Sequence, residues 1–162
     1  MIDVRDITFS YGEEPVLRDV SFQVESGQFV CILGANGCGK TTLLKTMLGF
    51  FRPQGGSVLL DGENVHTMDV RRMAQKVAYI PQSHVPPFPF RVIDVVLRGR
   101  PPYLSRTYRP TQEDHQIAMD ALGRRGITCL ADRRYTALSG GQRQLVIIAR
   151  AIAQQTGTII MD

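Results

Sequence analysis

The chain has 162 residues, of which 43% are hydrophobic and 21% are charged, and its formal net charge at pH 7 is +4. This composition is typical of a globular domain with its own core, and it excludes collagen-like repeats and a wholly disordered chain. No apolar run approaches the roughly 20 residues of a membrane-spanning helix, and the first residues lack the pattern of a signal peptide, so we expect a cytosolic protein.

The first half of the chain predicts strands interrupted by one glycine-rich loop. Residues 1–12 and 15–24 alternate apolar and polar side chains around a GEEP turn, which predicts two short strands. The continuous apolar run QFVCIL at 28–33 predicts a strand buried on both faces. After the loop at 34–39, leucines at helical spacing predict a helix over 40–49.

The next elements continue this alternation. Residues 56–65 predict a strand that enters an Asp61–Gly62 turn, 68–75 a short helix, and 77–80 another buried strand. The four prolines within 81–91 predict a loop.

The second half of the chain predicts mainly helices. The sequence VIDVVLRG and the segment 111–123 both have helical patterns, the second with Thr111 and Asp114 placed as a capping box. A helix over 138–154 has Ser139 as its candidate N-cap, and TIIM then predicts a strand. We therefore expect a strand–loop–helix core of 1–80 and 139–162, with a helical insertion at about 83–135.

Charge and cysteine usage give weaker signals. The segment 91–134 contains nine arginines and five acidic residues, so it alone carries a net charge of +4. This pattern fits a solvated basic face, an acidic docking partner or an anionic membrane, and less well nucleic acid, because no aromatic residues interleave with the arginines. Cys31, Cys38 and Cys129 show no metal-ligand or redox spacing and are expected to be reduced structural thiols.

The sequence GANGCGKTT at 34–42 fits the pattern G-x-x-x-x-G-K-[ST] directly after a predicted strand and at the start of a helix. Glycines let successive backbone N–H groups surround phosphate oxygens, and the helix N-terminus adds partial positive charge. Lys40 is placed to reach the β- and γ-phosphates, and the Thr41 hydroxyl to bind Mg²⁺. The alternative is a glycine turn beside a solvated lysine.

The sequence LSGGQ at 138–142 follows about a hundred residues later, and alone it could be a glycine-rich helix start. Together with the phosphate loop, it makes the whole chain resemble the ATP-binding cassette (ABC) family. The resemblance implies a P-loop NTPase α/β fold, with an antiparallel N-terminal β-subdomain and a helical subdomain inserted at 83–135 of a single domain over 1–162.

The resemblance also implies roles for individual residues. Tyr11 corresponds to the aromatic residue that stacks on adenine, although a half-buried tyrosine at a strand end is the alternative. Gln82 corresponds to the Q-loop glutamine, which contacts Mg²⁺ and the attacking water, and Asp162 to the Walker B aspartate, which holds Mg²⁺. The Walker A loop comprises Gly34, Ala35, Asn36, Gly37, Cys38, Gly39, Lys40, Thr41 and Thr42, with Cys38 at a variable position. The signature motif comprises Ser139, Gly140, Gly141 and Gln142.

Partners follow from the same resemblance. The signature motif binds the γ-phosphate of ATP held by a second subunit, so the active unit is a head-to-tail dimer with two ATP molecules. Transmembrane permease subunits and, indirectly, a substrate-binding protein complete the transporter, which places the ATPase on the cytoplasmic face of the membrane and away from nucleic acid. In the family a catalytic glutamate follows the Walker B aspartate, and an H-loop histidine comes later. Neither is among these 162 residues, so we expect a truncated ATPase subunit that folds poorly alone.

The sequence FPFRVIDVVLRGRPPY resembles the helical subdomain of importer ATPases for iron–siderophore, haem and cobalamin complexes. Zinc and manganese importer subunits are similar here, so the transported solute stays open. Two further alternatives are a soluble ABC protein acting on DNA or ribosomes and a nucleotide-binding remnant without hydrolysis.

Overall fold

The computed structural model describes residues 1–82, 88–100 and 109–162. Part of the predicted proline loop at 81–91, with His84, and most of the next proline-rich stretch, with Arg106, lie outside the described residues. The chain divides into two compact units, one of Met1–Met73 with Asp162 and one of Ala74–Met161. The single domain with an inserted helical subdomain at 83–135 stays a prediction.

The first unit contains a four-stranded antiparallel sheet with the order β2-β1-β3-β4. Its strands are β1 Ile2–Ser10, β2 Pro15–Val24, β3 Gly55–Leu60 and β4 Glu63–Asn64. Val4, Ile7 and Val58 lie in the core, where at most 1% of each remains exposed, and a register shift between Val4 and Ile7 lets both face it. These strands, the Asp61–Gly62 turn and the antiparallel arrangement agree with the sequence pattern.

Two helices follow in this part of the chain. Helix α1 spans Lys40–Met47 and buries Leu43 and Met47. Helix α2 spans Val70–Lys76. Both occur where the sequence predicts them, because the apolar positions of α1 recur at helical spacing and 68–75 lacks glycine and proline.

The prediction of a buried strand over 28–33 is wrong. Residues 28–35 form no strand, and Phe29 and Leu33 are 95% and 86% exposed. A strand that is buried on both faces requires neighbouring strands to complete its hydrogen bonds and cover its side chains. No strand within the described residues pairs with this segment, so its apolar side chains stay uncovered.

The second unit combines a short parallel sheet with helices. Strands β5 Val77–Ile80 and β6 Thr158–Met161 pair in parallel, with Val77 opposite Thr158. The helices are α3 Val92–Leu97, α4 Gln112–Arg124 and α5 Gly140–Ala153. Single 3₁₀ turns at Thr128–Leu130 and Tyr135–Ala137 connect α4 to α5.

The three helices bury one apolar cluster. Val92, Leu122 and Val146, one from each helix, are fully buried within it. Gly99, just beyond α3, lies so close to α5 that a Cβ atom there would overlap the carbonyl oxygen of Arg150. At the far end of α5, the Gln154 amide donates hydrogen bonds to the carbonyl oxygens of Ala74 and Val77, which ties α5 to the start of β5.

Arg100 departs from the expected basic face. Its side chain is 8% exposed, and its Nε donates to Asp114 Oδ1 at 2.9 Å. Its Nη1 donates to the Ala153 carbonyl oxygen at 2.8 Å and to Gln155 Oε1 at 2.7 Å. Arg100 therefore joins the end of α3 to the start of α4 and the end of α5, and it adds nothing to a surface charge patch.

Candidate functional site

The glycine-rich loop at 34–39 leads directly into α1 within the first unit. Gly39 is the N-cap of α1 with φ +99°, a left-handed conformation in which an added Cβ atom would crowd Val16 and Leu17. Glycine therefore suits this position both because of the positive φ and because no side chain fits there. No acidic residue lies in the first turn of α1, so its N-terminal N–H groups and partial positive charge favour an anion.

Lys40 is the first residue of α1, and its side chain turns back over the loop. Its Nζ donates to the carbonyl oxygens of Gly34 at 2.8 Å and Ala35 at 2.7 Å, and it lies 3.8 Å from Cys38 Sγ. The ammonium group is thus held beside the backbone of the loop. A phosphate group in the loop would be within the reach of this cation.

Thr41 and Asp162 are brought together although they are far apart in the sequence. The Thr41 hydroxyl donates to Asp162 Oδ1 at 2.8 Å. A hydroxyl and a carboxylate are hard oxygen donors, the type that Mg²⁺ prefers, and Mg²⁺ commonly takes one or two carboxylates together with substrate phosphates. These two side chains therefore fit the predicted magnesium site.

Tyr11, which follows β1, belongs to a cluster of three aromatic rings. Its ring meets Phe9 edge-on at a centroid distance of 5.0 Å and Phe51 edge-on at 5.6 Å, while Phe9 and Phe51 stack at 5.3 Å. The Tyr11 hydroxyl lies 3.2 Å from Thr42 Oγ1 on α1. Tyr11 is nevertheless 65% exposed, so much of its ring remains open to a ligand.

The signature motif forms the start of α5 in the second unit. Ser139 is the N-cap, and a capping box joins its side chain to Gln142: the Gln142 N–H donates to Ser139 Oγ, and the Ser139 N–H donates to Gln142 Oε1. Gly140 and Gly141 are exposed, and an added Cβ atom at either would meet nothing within 4 Å. The N-terminus of α5 therefore presents exposed backbone rather than bulky side chains.

Two other residues of the second unit bear on the predicted sites. Gln82 is exposed two residues after β5. Tyr135, three residues before Leu138, is 1% exposed and supports the turn that enters α5. Burial raises the pKa of the Tyr135 hydroxyl, and the nearby positive charges of Arg143 and Arg150 oppose this rise.

The structure brings together, within the first unit, Tyr11, the loop at 34–39, the first turn of α1 and Asp162; the roles predicted for them stay predictions, as do those of Gln82 and the signature motif. Sequence reasoning missed Phe9 and Phe51 as neighbours of Tyr11. The spacing of Phe9 and Tyr11 was a usable signal, because residues two apart share one face of a strand. Phe51 gave no comparable local signal.

Comparison with known proteins decides the family. A family model described as "ABC transporter" matches residues 17–162. The chain belongs to the ABC transporter family. The predicted resemblance to this family is thereby confirmed.

Relatives with named functions align with nearly the whole chain. The molybdate import ATP-binding protein of Haemophilus influenzae is 38% identical over 99% of this chain and 59% of its own length. The iron(3+)-hydroxamate import ATP-binding protein of Bacillus subtilis is 36% identical over 99% of this chain and 60% of its own length. The chain thus spans about three fifths of these relatives.

A solved structure gives the same picture. An ABC transporter described as of the metal-chelate type, in an inward-facing conformation, superposes with a TM-score of 0.85. It is 36% identical, and the match covers 99% of this chain and 58% of that one. The cassette fold of the P-loop NTPases, with its antiparallel N-terminal sheet, is therefore the fold of this chain.

Proposed function

We propose that this chain supplies the nucleotide-binding part of an ABC importer subunit that binds and hydrolyses ATP. The observation that carries the proposal is the glycine-rich loop at the start of α1, with Lys40 folded over it and Thr41 bonded to Asp162. A glycine nest, a helix N-terminus, a lysine and two oxygen donors form one set suited to a magnesium–triphosphate.

Different residues contact the phosphates, the magnesium ion and the base. Backbone N–H groups of residues 34–42 surround the phosphate oxygens, and the Lys40 ammonium exchanges the carbonyl oxygens of Gly34 and Ala35 for the β- and γ-phosphates. Thr41 and Asp162 would hold Mg²⁺, which supplies charge neutralisation on the phosphates when bound. Tyr11 offers its open ring face to the adenine base.

The hydrolysis step needs groups beyond this loop. Gln82 would orient the attacking water and contact Mg²⁺, and the catalytic glutamate and H-loop histidine of the family are not among these 162 residues. Hydrolysis is therefore proposed for the protein that carries this chain together with those groups. A nucleotide-binding remnant without turnover is the alternative.

Assembly follows the family pattern. We assign Ser139, Gly140, Gly141 and Gln142 to the γ-phosphate of ATP held by a second subunit, in a head-to-tail dimer. Permease subunits anchor this dimer at the cytoplasmic face of the membrane, and a substrate-binding protein delivers the solute. Exposed arginines of the second unit, such as Arg124, Arg125 and Arg133, suit acidic cytoplasmic loops of a permease.

No helix in the described ranges is long and apolar enough to cross a membrane.

The proposed cargo is a metal chelate of the iron–siderophore type. The name of the Bacillus subtilis relative and the description of the superposed transporter support this class. The molybdate import relative supports a wider choice, so another metal or oxyanion solute is the second candidate, with zinc and manganese among the options. Cargo contacts the permease and the binding protein, and the ATPase residues described here do not recognise it.

Replacement of Lys40 tests the nucleotide site. We expect Lys40→Ala to weaken binding of magnesium–ATP by at least about tenfold, because a charged hydrogen bond to phosphate contributes roughly 1.5–3 kcal/mol. Equilibrium titration with a fluorescent ATP analogue and competition by unlabelled ATP measures this change. Lys76→Ala, the same chemical change at the end of α2, is the matched control and should bind as the parent does.

The outcomes separate the candidate functions. Equal affinity of Lys40→Ala and the parent protein would contradict the proposed site. Loss of binding in Lys40→Ala, together with steady-state phosphate release by a protein that carries this chain with the catalytic glutamate and the H-loop histidine, supports the importer ATPase. Binding with no turnover by that longer protein favours the nucleotide-binding remnant.

A further inference from the structure

We propose that Phe51 is a positioning residue for nucleobase recognition, because it fixes the ring of Tyr11 in the orientation that meets the base. The inference rests on the proposed function, since it requires ATP in the loop at 34–42. It adds a residue outside the nucleotide-binding motifs. Phe51 lies four residues beyond the end of α1, so it belongs to the same helix–turn segment that begins at the phosphate loop.

Three contacts restrain Tyr11. Phe9 lies edge-on to its ring at 90° and Phe51 at 85°, so the stacked pair of phenylalanines packs against the tyrosine ring and limits its rotation. The third restraint is the contact of 3.2 Å between the Tyr11 hydroxyl and Thr42 Oγ1. Both Phe51 and Thr42 come from the segment that starts at the phosphate loop, whereas Tyr11 directly follows β1.

Phe51 is itself held in place. It stacks on Phe9 with an interplanar angle of 12°, and Phe9 is only 8% exposed. Lys45 Nζ lies 5.6 Å from the centroid of the Phe51 ring, a cation–π distance that adds a contact from α1. Phe51 is therefore fixed by the core and by α1, and it packs against a tyrosine that is mostly exposed.

An exposed tyrosine would ordinarily lose side-chain freedom when a base stacks on it. Because the cluster already restricts the Tyr11 ring, less freedom remains to be lost, and stacking becomes more favourable. The same contacts fix the distance between the stacking ring and the phosphate loop. Phe51 thus acts on ATP through Tyr11 and should leave the phosphate contacts alone.

The competing explanation is that Phe51 only stabilises the sheet. Two ligands separate the explanations: magnesium–ATP, which has a base, and magnesium–tripolyphosphate, which has none. A positioning residue affects the first and leaves the second unchanged. A residue that only supports the fold affects both, because both use the loop at 34–42.

The experiment measures both affinities calorimetrically in Phe51→Ala, Tyr11→Ala and the double variant. Phe51→Leu keeps apolar volume but removes the ring edge, and it serves if Phe51→Ala does not fold. Phe22→Ala, the same change on β2 opposite Val4, controls for general loosening of the sheet. Lys40→Ala reports whether the phosphate loop binds at all.

We expect Phe51→Ala or Phe51→Leu to weaken ATP binding about two- to tenfold, the range of a single aromatic pair, and to change tripolyphosphate binding less than twofold. In the Tyr11→Ala background the loss should vanish. Equal losses for both ligands, or an undiminished loss without Tyr11, would overturn the inference. If Tyr11→Ala leaves ATP affinity unchanged while Lys40→Ala abolishes ATP binding, the inference is overturned and the proposed function stands. If Lys40→Ala leaves ATP affinity unchanged, the proposed function itself is refuted.

Discussion

Arg100 and Asp114 form a buried ion pair on which the stability of the second unit depends. The two side chains are 8% and 5% exposed, so both charges are withdrawn from water. Thr111 and Gln155 supply additional hydrogen bonds to the pair. Such a pair adds little net stability compared with apolar residues of the same volume, but removal of one partner leaves a buried charge without its counter-ion.

Arg100→Ala is therefore expected to lower the free energy of unfolding by about 3–5 kcal/mol, measured by chemical denaturation. Arg91→Ala is the matched control, because Arg91 pairs with Asp94 at the surface, where the side chains are 56% and 37% exposed, and such pairs contribute about 0–1 kcal/mol. Equal losses in the two variants would show that burial of the Arg100 pair does not matter.

The same pair predicts a dependence of stability on pH. Burial tends to raise the pKa of Asp114, but hydrogen bonds from Thr111 and Arg100 outweigh burial and hold this pKa below its ordinary value. A carboxyl group whose pKa is lowered by folding stabilises the native state above its unfolded pKa, and this contribution is lost as the pH falls through the folded pKa. The acid-induced loss of stability below about pH 4 should therefore be smaller in Asp114→Asn, measured by denaturation over a pH series.

At the scale of elements, helix starts are the features that sequence predicts best. The capping box at Thr111 and Asp114 and the N-cap at Ser139 both occur as predicted, because they depend on residues within three positions. The strand expected at 28–33 does not form, since its burial depends on partners far away in the chain. The pairing of Arg100 with Asp114 and of Phe51 with Tyr11 escaped prediction for the same reason.

The contact between α3 and α5 gives a prediction at this scale. Gly99→Ala places a methyl group against the Arg150 carbonyl oxygen, so the helices must separate, and we expect a loss of about 1–3 kcal/mol in the free energy of unfolding. Gly123→Ala in α4 is the control, because its added methyl group lies 3.7 Å from Thr128 Oγ1 in ordinary contact. That variant should be neutral or more stable by about 0.5–1 kcal/mol, since alanine favours helix. Equal thermal midpoints for the two variants would contradict the close approach.

For the whole molecule, the candidate site residues fall in both compact units. The phosphate loop, Tyr11 and Asp162 belong to the first unit, while Gln82 and the signature motif belong to the second. Motif spacing predicted the phosphate loop, because glycines, a lysine and a hydroxyl group at fixed positions are recognised without knowledge of packing. The roles of Tyr11, Gln82, Asp162 and the signature motif followed from the resemblance to the ABC family. The residues that hold these groups in place, such as Phe51, could be identified only from the three-dimensional structure.

Assembly can be separated from folding at Ser139. Aspartate is as good an N-cap as serine, and its charge is favourable at the N-terminus of α5, so Ser139→Asp should leave the free energy of unfolding nearly unchanged. In the proposed dimer its carboxylate would face the γ-phosphate of the partner's ATP, and ATP-dependent dimerisation should be lost. Analytical ultracentrifugation with and without ATP measures this effect.

Ser139→Asn keeps the cap without the charge and is the control for Ser139→Asp. It should dimerise better than the aspartate variant. A Ser139→Asp protein that dimerises with ATP as the parent does would argue against the placement of the signature motif at a γ-phosphate.

The aromatic cluster also offers a position for a fluorescent probe. The chain has five tyrosines and no tryptophan, so it has no indole emission of its own. Tyr11 combines a restrained ring with 65% exposure, at the position where a nucleobase is proposed to stack. A tryptophan introduced there would be the sole indole chromophore in the chain, and its emission would then originate at the nucleobase position alone.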